Sequence, residues 1–468
     1  MPRGRSGGWP RPAWNCWTAS RTLAADARLH ELTAAAAAEL IRRRELSPVE
    51  LIQALLSRIE LTEPKLQAWE TLDAERALEQ ARRAEQQPAE GPLHGVPFGA
   101  KDIYHTAGLR TTASFEPFAN FVPQEDAEPV ARLKRSGAIV LGKTVTTQFA
   151  MVDPPRTTNP WNSSRTPGGS SSGSGAAVAA RNVPFALGTQ TAGSVLRPAA
   201  YCGVVGFKPT FGRISRRGIF PLGWTLDHVG VICRSVEDAA LTVSCMAGHD
   251  RQDPFSAPDA PEDLLAAVHA GTDRPPVLGL VHECLERAQP EVRSHVEAMA
   301  RRLAGTGAEV REVSLPSGLD TALAAQHIIM RCEVAEIHAH LMARERQHYA
   351  PRFRSSVEVG SLIPGAAYVH ALRLRRRFRD QVEALMEGVD VLLAPTATNV
   401  APDPSTTGDA SLQTIWTMLG LPTISLPSGL TEERLPLAIQ LVGRRLEDNR
   451  LLVAAGWCER MLGPMPAP

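Results

Sequence analysis

The chain has 468 residues, which is enough for one large domain or a few smaller ones and for a sizeable buried core. Lysine plus arginine and aspartate plus glutamate both number 50, so the charge balance indicates neither a nucleic-acid footprint nor attraction to an anionic membrane. The seven cysteines are scattered and form no C-x-x-C pair, which disfavours a disulfide framework and a zinc site and favours a reduced, cytoplasmic setting.

The first 28 residues combine arginine, glycine and proline with three tryptophans, and they lack the apolar run that a secretory signal needs. We therefore expect residues 1–28 to be a disordered extension and residues 29–465 to form one domain. No later stretch has the roughly 18 uninterrupted apolar residues of a membrane span, so the sequence predicts a soluble protein.

Helical patterns fill most of residues 29–86. Ser47 fits the N-cap of the second helix, because Pro48 takes the first helical position and Glu50 completes a capping box. Further on, short apolar runs such as 138–144 and 391–396 alternate with helices, and this alternation predicts an α/β sheet covered by helices on both faces. Residues 250–330 are rich in proline and alanine and show weaker strand signals, so we expect an insertion or a cap there.

Two turns of small residues, at 168–175 and 188–194, and an upstream P-F-G-A-K-D segment are the most informative parts of the sequence. Together they offer two serines and a lysine, which could act as nucleophile, proton relay and base without a histidine. In the second turn, large side chains are absent, so several backbone N–H groups could converge on one point as an oxyanion hole requires. The candidates are Thr191, Ala192, Gly193 and Ser194. A tight strand-to-helix turn without chemistry accounts for this segment equally well.

The first turn also matches G-x-S-x-G around Ser171, the nucleophile elbow of α/β-hydrolases. An elbow follows directly on an apolar strand, whereas the residues before this turn form a loop in which Pro167 would disrupt a central strand. A phosphate-binding loop is disfavoured because no G-K-[ST] follows. A flexible linker does not explain G-A-A-V-A-A, which predicts a helix beginning at the loop.

These segments together resemble the amidase signature family of serine hydrolases, and the resemblance covers most of the chain from about residue 29. The matching stretches are G-P-L-H-G-V-P-F-G-A-K-D, N-P-W-N-S-S-R-T-P-G-G-S-S-S-G-S-G, A-L-G-T-Q-T-A-G-S-V-L-R-P and, near the end, L-G-L-P-T-I-S-L-P-S-G-L-T. The resemblance implies a catalytic triad of Lys101, Ser170 and Ser194, with a cis peptide bond before Ser170. It also implies an α/β/α domain on a mixed sheet, and no metal or organic cofactor.

A lysine that acts as a base must be neutral, although its ordinary pKa is about 10.4. Lys101 would therefore have to be desolvated or lie near positive groups. Its neighbours in the sequence are mostly apolar, which suits burial. A surface pair between Lys101 and Asp102 is the alternative.

The sequence departs from many family members at two places. Gln190 stands where an acidic residue is common, and Leu196 stands where an arginine is common, with Arg197 one place later. This variant resembles the malonamidase-like branch, in which the corresponding arginine holds a substrate carboxylate, and a guanidinium is well suited to that contact. We expect Arg197, Gln190 and Ser171 to bind substrate and small acid monoamides to be preferred. An internal salt bridge of Arg197 is an equal alternative.

Several histidines call for a simpler interpretation. His338 and His340, with Glu336, lie in a predicted helix where positions two apart face different directions, so packing or surface roles are favoured over a metal site. His94 and His228 line the site or shape loops. Asp227 is expected to hold the site together through hydrogen bonds.

The leading function is a stand-alone amidase that hydrolyses a small amide to an acid and ammonia or an amine. The alternative is a glutaminase-type A subunit of a tRNA-dependent amidotransferase, a class that shares the signature. A silent scaffold is disfavoured because the lysine and both serines are present. We expect a small-molecule amide as the partner, with no nucleic acid and no membrane, and a homodimer is compatible with the sequence.

Overall fold

The computed structural model describes residues 28–259, 263–272, 274–316 and 318–468, so all but the last residue of the predicted extension lies outside the described chain. The helices are α1 (Ala34–Arg42), α2 (Pro48–Leu66), α3 (Ala74–Gln86), α4 (Glu128–Arg135), α5 (Ser172–Ala179), α6 (Leu196–Cys202), α7 (Val236–Met246), α8 (Leu264–Ala270), α9 (His282–Arg287), α10 (Pro290–Gly305), α11 (Leu319–Glu345), α12 (Pro351–Ser361), α13 (Gly365–Leu385), α14 (Ser411–Leu419) and α15 (Asp448–Leu462). The strands are β1 (Trp69–Leu72), β2 (Pro97–Lys101), β3 (Ile139–Thr144), β4 (Phe185–Gln190), β5 (Val205–Lys208), β6 (His228–Cys233), β7 (Val277–Val281), β8 (Glu309–Val313), β9 (Val391–Pro395), β10 (Thr423–Leu430) and β11 (Pro436–Val442).

All of these strands join one mixed sheet in the order β1-β3-β2-β4-β6-β5-β10-β11-β9-β7-β8. Strand β2 runs parallel to both β3 and β4, and β7 runs parallel to both β8 and β9, whereas the other pairs are antiparallel. The central strands β2 to β6 are buried along their whole length, as expected for a sheet covered on both faces. The predicted α/β fold on a mixed sheet is therefore confirmed.

The predicted start of α2 is confirmed in atomic detail. The Ser47 side chain accepts hydrogen bonds from the N–H groups of Val49 at 3.0 Å and Glu50 at 3.4 Å, and the Glu50 carboxylate accepts from the Ser47 N–H at 3.3 Å. These bonds satisfy backbone donors that a helix start leaves without partners. The predicted helix after the first glycine-rich turn also forms, as α5.

The expectation of an insertion or a cap over residues 250–330 is wrong for its central part. Strands β7 and β8 pair in parallel and extend the sheet at one edge. The apolar V-L-G-L-V of β7 is buried after its first residue, whereas the charged E-V-R-E-V of β8 is largely exposed, as suits an edge strand. The short, partly polar strands gave a weak sequence signal because only one of them enters the core.

The six cysteines of the described chain are free thiols, as the scattered spacing predicts. Among the described residues, no helix combines the length and the apolar character needed to cross a bilayer.

Strand order brings the candidate residues together. Lys101 is the last residue of β2 and Gln190 is the last residue of β4, and the two strands are parallel neighbours. Their carboxyl ends therefore meet at the same edge of the sheet, which is where α/β folds place ligands. The turn at 191–194 leaves β4 at this edge and leads into α6, while the other glycine-rich turn leads into α5.

Candidate active site

Lys101 is fully buried and hydrogen-bonded to two hydroxyl groups. Its Nζ lies 2.8 Å from Ser170 Oγ and 2.9 Å from Thr189 Oγ1. Burial holds the pKa of Lys101 well below its usual range, and the negative charge of Asp227 opposes this shift only in part. An amine in this environment favours its neutral form, which has a lone pair that can accept a proton.

The alternative of a surface pair between Lys101 and Asp102 is wrong, because both side chains are completely buried. Asp102 has a different cationic neighbour, Lys143, whose Nζ lies 3.5 Å from Asp102 Oδ1. Asp102 Oδ2 also accepts hydrogen bonds from the Thr112 N–H at 2.9 Å and the Thr112 hydroxyl at 2.5 Å.

The turn that carries Ser170 is fixed from several sides. The peptide bond between Gly169 and Ser170 is cis, which is the geometry that the family resemblance implies. The Thr147 N–H donates to the Ser170 carbonyl at 3.3 Å, and the Ser171 N–H donates to the Ser194 carbonyl at 3.3 Å. The second of these bonds joins the two small-residue turns.

The turn at 191–194 presents unused backbone donors. Within the described chain, the N–H groups of Ala192, Gly193 and Ser194 find no acceptor, and the Ser194 hydroxyl makes no hydrogen bond. Ser194 is only 8% exposed, and buried N–H groups are nearly always paired in folded proteins. Such unpaired donors next to an unpaired hydroxyl are suited to an anionic oxygen that arrives with a ligand.

Gln190 and Ser171 are fully buried and bonded inside the protein. Gln190 Oε1 accepts from the Val195 and Leu196 N–H groups at 2.8 and 3.0 Å. The Ser171 hydroxyl lies 3.4 Å from the Thr189 carbonyl and accepts from the Thr189 N–H at 3.3 Å. Their predicted contact with a substrate stays a prediction.

Arg197 is also buried, and its guanidinium donates to acceptors of the protein. It bonds to the Gly408 carbonyl at 2.8 Å, the Gly169 carbonyl at 2.7 Å and the Thr407 hydroxyl at 3.2 Å. No carboxylate pairs with it in the part of the chain that the structure describes, so the alternative of an internal salt bridge is wrong there. Its Nε is buried without a partner, and its role as a carboxylate anchor stays a prediction.

Asp227 holds two parts of the site together, as the sequence predicts. Oδ1 accepts from the Thr191 hydroxyl at 2.6 Å, and Oδ2 accepts from the N–H groups of Leu222 and Gly223 at 2.8 and 3.0 Å. These bonds tie the turn after β4 to the loop before β6.

A cavity of about 250 Å³ lies beside this part of the site. Thr189, Thr191 and Asp227 contribute to its wall, and so do the apolar side chains of Ile103, Ala150, Ile219, Phe220, Leu222 and Val229. Trp224, 45% exposed, also lines it, and its indole N–H donates to Glu336 Oε2 at 2.8 Å. The cavity can hold a small and partly apolar group next to the Lys101–Thr189 pair.

Among the histidines that the sequence singled out, His94, His228 and His338 pack against aromatic rings or bond to groups of the protein. His338 is buried, packs edge-on against Phe149 and Phe353, and lies 3.0 Å from the Tyr349 hydroxyl through Nδ1. His94 Nε2 lies 2.9 Å from the Ala84 carbonyl. No group of metal-binding side chains occurs among the described residues. His228 is buried, lines the cavity, and bonds through Nδ1 to the Leu226 carbonyl at 2.6 Å.

Sequence reasoning missed three polar residues that contact the site. Thr189 bonds to Lys101, Thr417 donates to the Ala192 carbonyl at 2.6 Å, and Gln326 donates to the Thr191 carbonyl at 3.3 Å. Thr189 stands within the G-T-Q-T motif and could have been found there. Thr417 and Gln326 lie in α14 and α11, far away in the sequence, and only their polar character among buried neighbours singles them out.

A buried lysine beside a serine turn, on a mixed α/β sheet, fits the amidase signature family that the sequence resembles. The model of the amidase family matches residues 50–452, and the chain belongs to that family. It is therefore an enzyme of the amidase signature class, which acts on amide bonds.

Individual relatives support the same family. The A subunit of the glutamyl-tRNA(Gln) amidotransferase of Roseiflexus sp. (strain RS-1) is 37% identical over 467 positions, covering 91% of this chain and 95% of that protein. A solved structure from "an unexpected vestigial protein complex" linked to the origins of an s-triazine catabolic enzyme has a TM-score of 0.86 at 30% identity, covering 93% of this chain and all of that one. A crystal structure of an amidase has a TM-score of 0.82 at 30% identity, and the match covers 92% of this chain and 100% of that one.

Proposed function

We propose that this protein hydrolyses a carboxylic amide with Ser194 as nucleophile, Ser170 as proton relay and Lys101 as base. The observation that carries the proposal is the environment of Lys101, which is fully buried, has no carboxylate at hydrogen-bonding distance within the described chain, and bonds to Ser170. Its lowered pKa supports a neutral amine near neutral pH.

In the first step, Ser194 Oγ attacks the amide carbonyl carbon while its proton passes to Ser170 Oγ and the Ser170 proton passes to Lys101 Nζ. The carbonyl oxygen becomes an oxyanion, for which the N–H groups of Thr191, Ala192, Gly193 and Ser194 are the proposed donors. The relay then runs backward and protonates the departing nitrogen. Ammonia or an amine leaves, and an ester on Ser194 remains.

In the second step, water attacks the ester carbonyl and gives its proton to the same relay. The Ser194–acyl bond breaks, Ser194 regains its proton and the carboxylic acid is released. The number of protons on the enzyme is the same before and after the cycle, and the scheme requires no cofactor.

We place one side of the substrate in the cavity beside Thr189 and Thr191. Its volume of about 250 Å³ suits a small acyl or leaving group, and its walls are largely apolar. The preference for acid monoamides rests on Arg197 Nε, which is buried and without a partner in the described chain. We also infer a cytoplasmic location, which the free thiols favour.

The test measures ammonia release by the purified protein from glutamine, small acid monoamides and neutral aliphatic or aryl amides, with Ser194→Ala as the blank. Mass spectrometry of protein quenched during turnover should find an acyl group on the peptide that contains Ser194. Amide hydrolysis that persists in Ser194→Ala would contradict the proposal.

The relatives named as A subunits of glutamyl-tRNA(Gln) amidotransferases favour a second function, in which the chain releases ammonia from glutamine as one component of an assembly. The comparison spans 95% of the Roseiflexus protein, which is nearly its whole length. Activity on glutamine alone, increased by added partner proteins, would support this function. Activity on other amides by the isolated chain, as a monomer or a homodimer, would support the stand-alone amidase.

A further inference from the structure

Two buried side chains from distant helices hold the carbonyl groups of the turn at 191–194. The Thr417 hydroxyl, in α14, donates to the Ala192 carbonyl at 2.6 Å. The Gln326 amide, in α11, donates to the Thr191 carbonyl at 3.3 Å. Both side chains are fully buried, so water does not compete for these bonds.

Fixing a carbonyl also fixes the N–H group of the next residue. The peptide unit is planar, and in its trans form the C=O and N–H bonds point in opposite directions. The bond from Thr417 therefore sets the direction of the Gly193 N–H, and the bond from Gln326 sets that of the Ala192 N–H. These are two of the N–H groups that find no acceptor within the described chain.

Gln190 determines which way the Thr417 hydroxyl donates. Gln190 Oε1 accepts from the Val195 and Leu196 N–H groups, so its Nε2 faces Thr417 and donates to Oγ1 at 2.9 Å. The single hydroxyl proton of Thr417 is then left for a carbonyl. The Ala192 carbonyl at 2.6 Å is closer than the other acceptor, the Gln413 carbonyl at 3.0 Å.

The result is a directed chain of hydrogen bonds that begins at the start of α6 and ends on the turn just before it. It runs from the Val195 and Leu196 N–H groups through the Gln190 amide and the Thr417 hydroxyl to the Ala192 carbonyl. Such chains polarise their members and stiffen the segment they enclose.

We propose that Thr417 is a positioning residue for the oxyanion hole and that Gln190 sets the polarity of its bond. This inference rests on the proposed function, because it assigns the Gly193 N–H to the oxyanion formed when Ser194 attacks. Loss of one oxyanion donor lowers kcat by about 10²–10³-fold in a well-studied serine protease, so a misdirected donor should lower it by roughly 10–100-fold.

The experiment compares Thr417→Val, which keeps the shape and removes the hydroxyl, with Thr417→Ser, which keeps the hydroxyl. We expect Thr417→Val to lower kcat by roughly 10–100-fold with little change in KM, and Thr417→Ser to stay close to wild type. The affinity for a boronic acid, which forms a tetrahedral anionic adduct on a serine, should fall by a similar factor in Thr417→Val alone. A role limited to fold stability would lower the melting temperature without lowering kcat and boronate affinity together.

Thr414→Val is a matched control. Thr414 is buried in the same helix, and its hydroxyl makes no hydrogen bond within the described residues, so kcat and boronate affinity should both be retained. Circular dichroism and thermal melting check that each variant is folded.

Gln190→Glu supplies a second test that keeps Thr417 itself. A carboxylate would still accept from the Val195 and Leu196 N–H groups, but it would accept from the Thr417 hydroxyl instead of donating to it. The hydroxyl proton would turn away from Ala192, and kcat and boronate affinity should fall together. This variant decides the question if Thr417→Val does not fold.

Wild-type kcat and boronate affinity in folded Thr417→Val, or in folded Gln190→Glu, would overturn the positioning role while leaving the nucleophile assignment intact. Failure of the proposed function gives a different pattern, in which Ser194→Ala retains activity or no boronate adduct forms on the wild-type serine. Equal losses in Thr414→Val and Thr417→Val would also overturn the inference, since packing of α14 would then be sufficient to explain them.

Discussion

Replacing Lys101 by methionine tests the proposed base most directly. Methionine fills a similar volume and cannot take up a proton, so the Ser170 hydroxyl loses the acceptor that the mechanism requires. Positioned general bases contribute about 10²–10⁴-fold to rate, and we expect kcat for amide hydrolysis to fall by that factor near neutral pH.

The same variant should change little in stability at neutral pH, because two effects oppose each other. The hydroxyls of Ser170 and Thr189 lose a buried partner, at a cost of about 1–3 kcal/mol each if they find no other. In return, the variant no longer holds a fully buried amine, whose desolvation is unfavourable. Loss of activity therefore does not have to follow from loss of folding.

The lowered pKa of Lys101 makes a second prediction for this variant, with a definite sign. Between the lowered native pKa and the unfolded value of about 10.4, the unfolded chain binds more protons at this amine than the native state does. The free energy of unfolding of the wild type should therefore rise with pH relative to Lys101→Met, with a slope of up to about 1.4 kcal/mol per pH unit. The other titrating groups cancel in the comparison.

The assay combines steady-state kinetics on an amide with urea unfolding of both proteins at several pH values between about 7 and 10, the range below the unfolded pKa of lysine. Activity of Lys101→Met within a factor of about ten of wild type would refute the base assignment, since the expected loss is at least ~100-fold. Stability curves that run parallel across the pH range would show that the amine has an ordinary pKa, and the argument from burial would fail.

Three further predictions follow from buried charges around the site. Arg197→Ala should lower kcat/KM for acid monoamides by about 10–100-fold beyond any loss that neutral amides share, and equal losses for both classes would restrict Arg197 to its bonds within the protein. Lys143→Met should lower the free energy of unfolding by about 3–5 kcal/mol in denaturant titrations, because it leaves the buried Asp102 without a cation; an unchanged midpoint would contradict this. Asp227→Asn removes a charge that raises the pKa of Lys101, so the acid limb of the kcat/KM profile should move to lower pH, and a shift to higher pH would have the wrong sign.

Local patterns in the sequence predicted the elements well where a short segment contains its own signal. The capping box at Ser47 and Glu50, the buried runs of β3 and β9, and the helix after the first turn depend on neighbours within a few residues. Strand β8 was missed because an edge strand places weaker demands on its side chains, and β7 was missed because a buried apolar run of 5 residues does not by itself distinguish a strand from a helix.

The residues of the candidate site also fall into those with a local sequence signal and those without one. Lys101, Ser170 and Ser194 stand in distinctive motifs, and the order of β2 and β4 in the sheet explains why distant motifs meet. Thr417 and Gln326 had no such signal, because a single polar residue in a helix does not reveal which backbone group it will meet across more than a hundred residues. For Arg197, the sequence did not predict its bonds to carbonyl and hydroxyl oxygens of the protein, because those acceptors lie on turns that are distant in the sequence.

The sheet also explains why only one of two neighbouring buried lysines is suited to act as a base. Lys143 pairs with Ala100 in the register of β2 against β3, so its side chain lies on the sheet face opposite to that of Lys101. There it lies 3.5 Å from Asp102 and donates to the Tyr104 carbonyl at 2.5 Å, and its pKa, although lowered by burial to about 8, is raised in part by Asp102. A carboxylate neighbour favours the protonated amine, whereas the hydroxyl partners of Lys101 can bond to a neutral amine equally well. The strand register thus places Lys143 beside a carboxylate and Lys101 beside two hydroxyls, so only Lys101 is free to accept a proton.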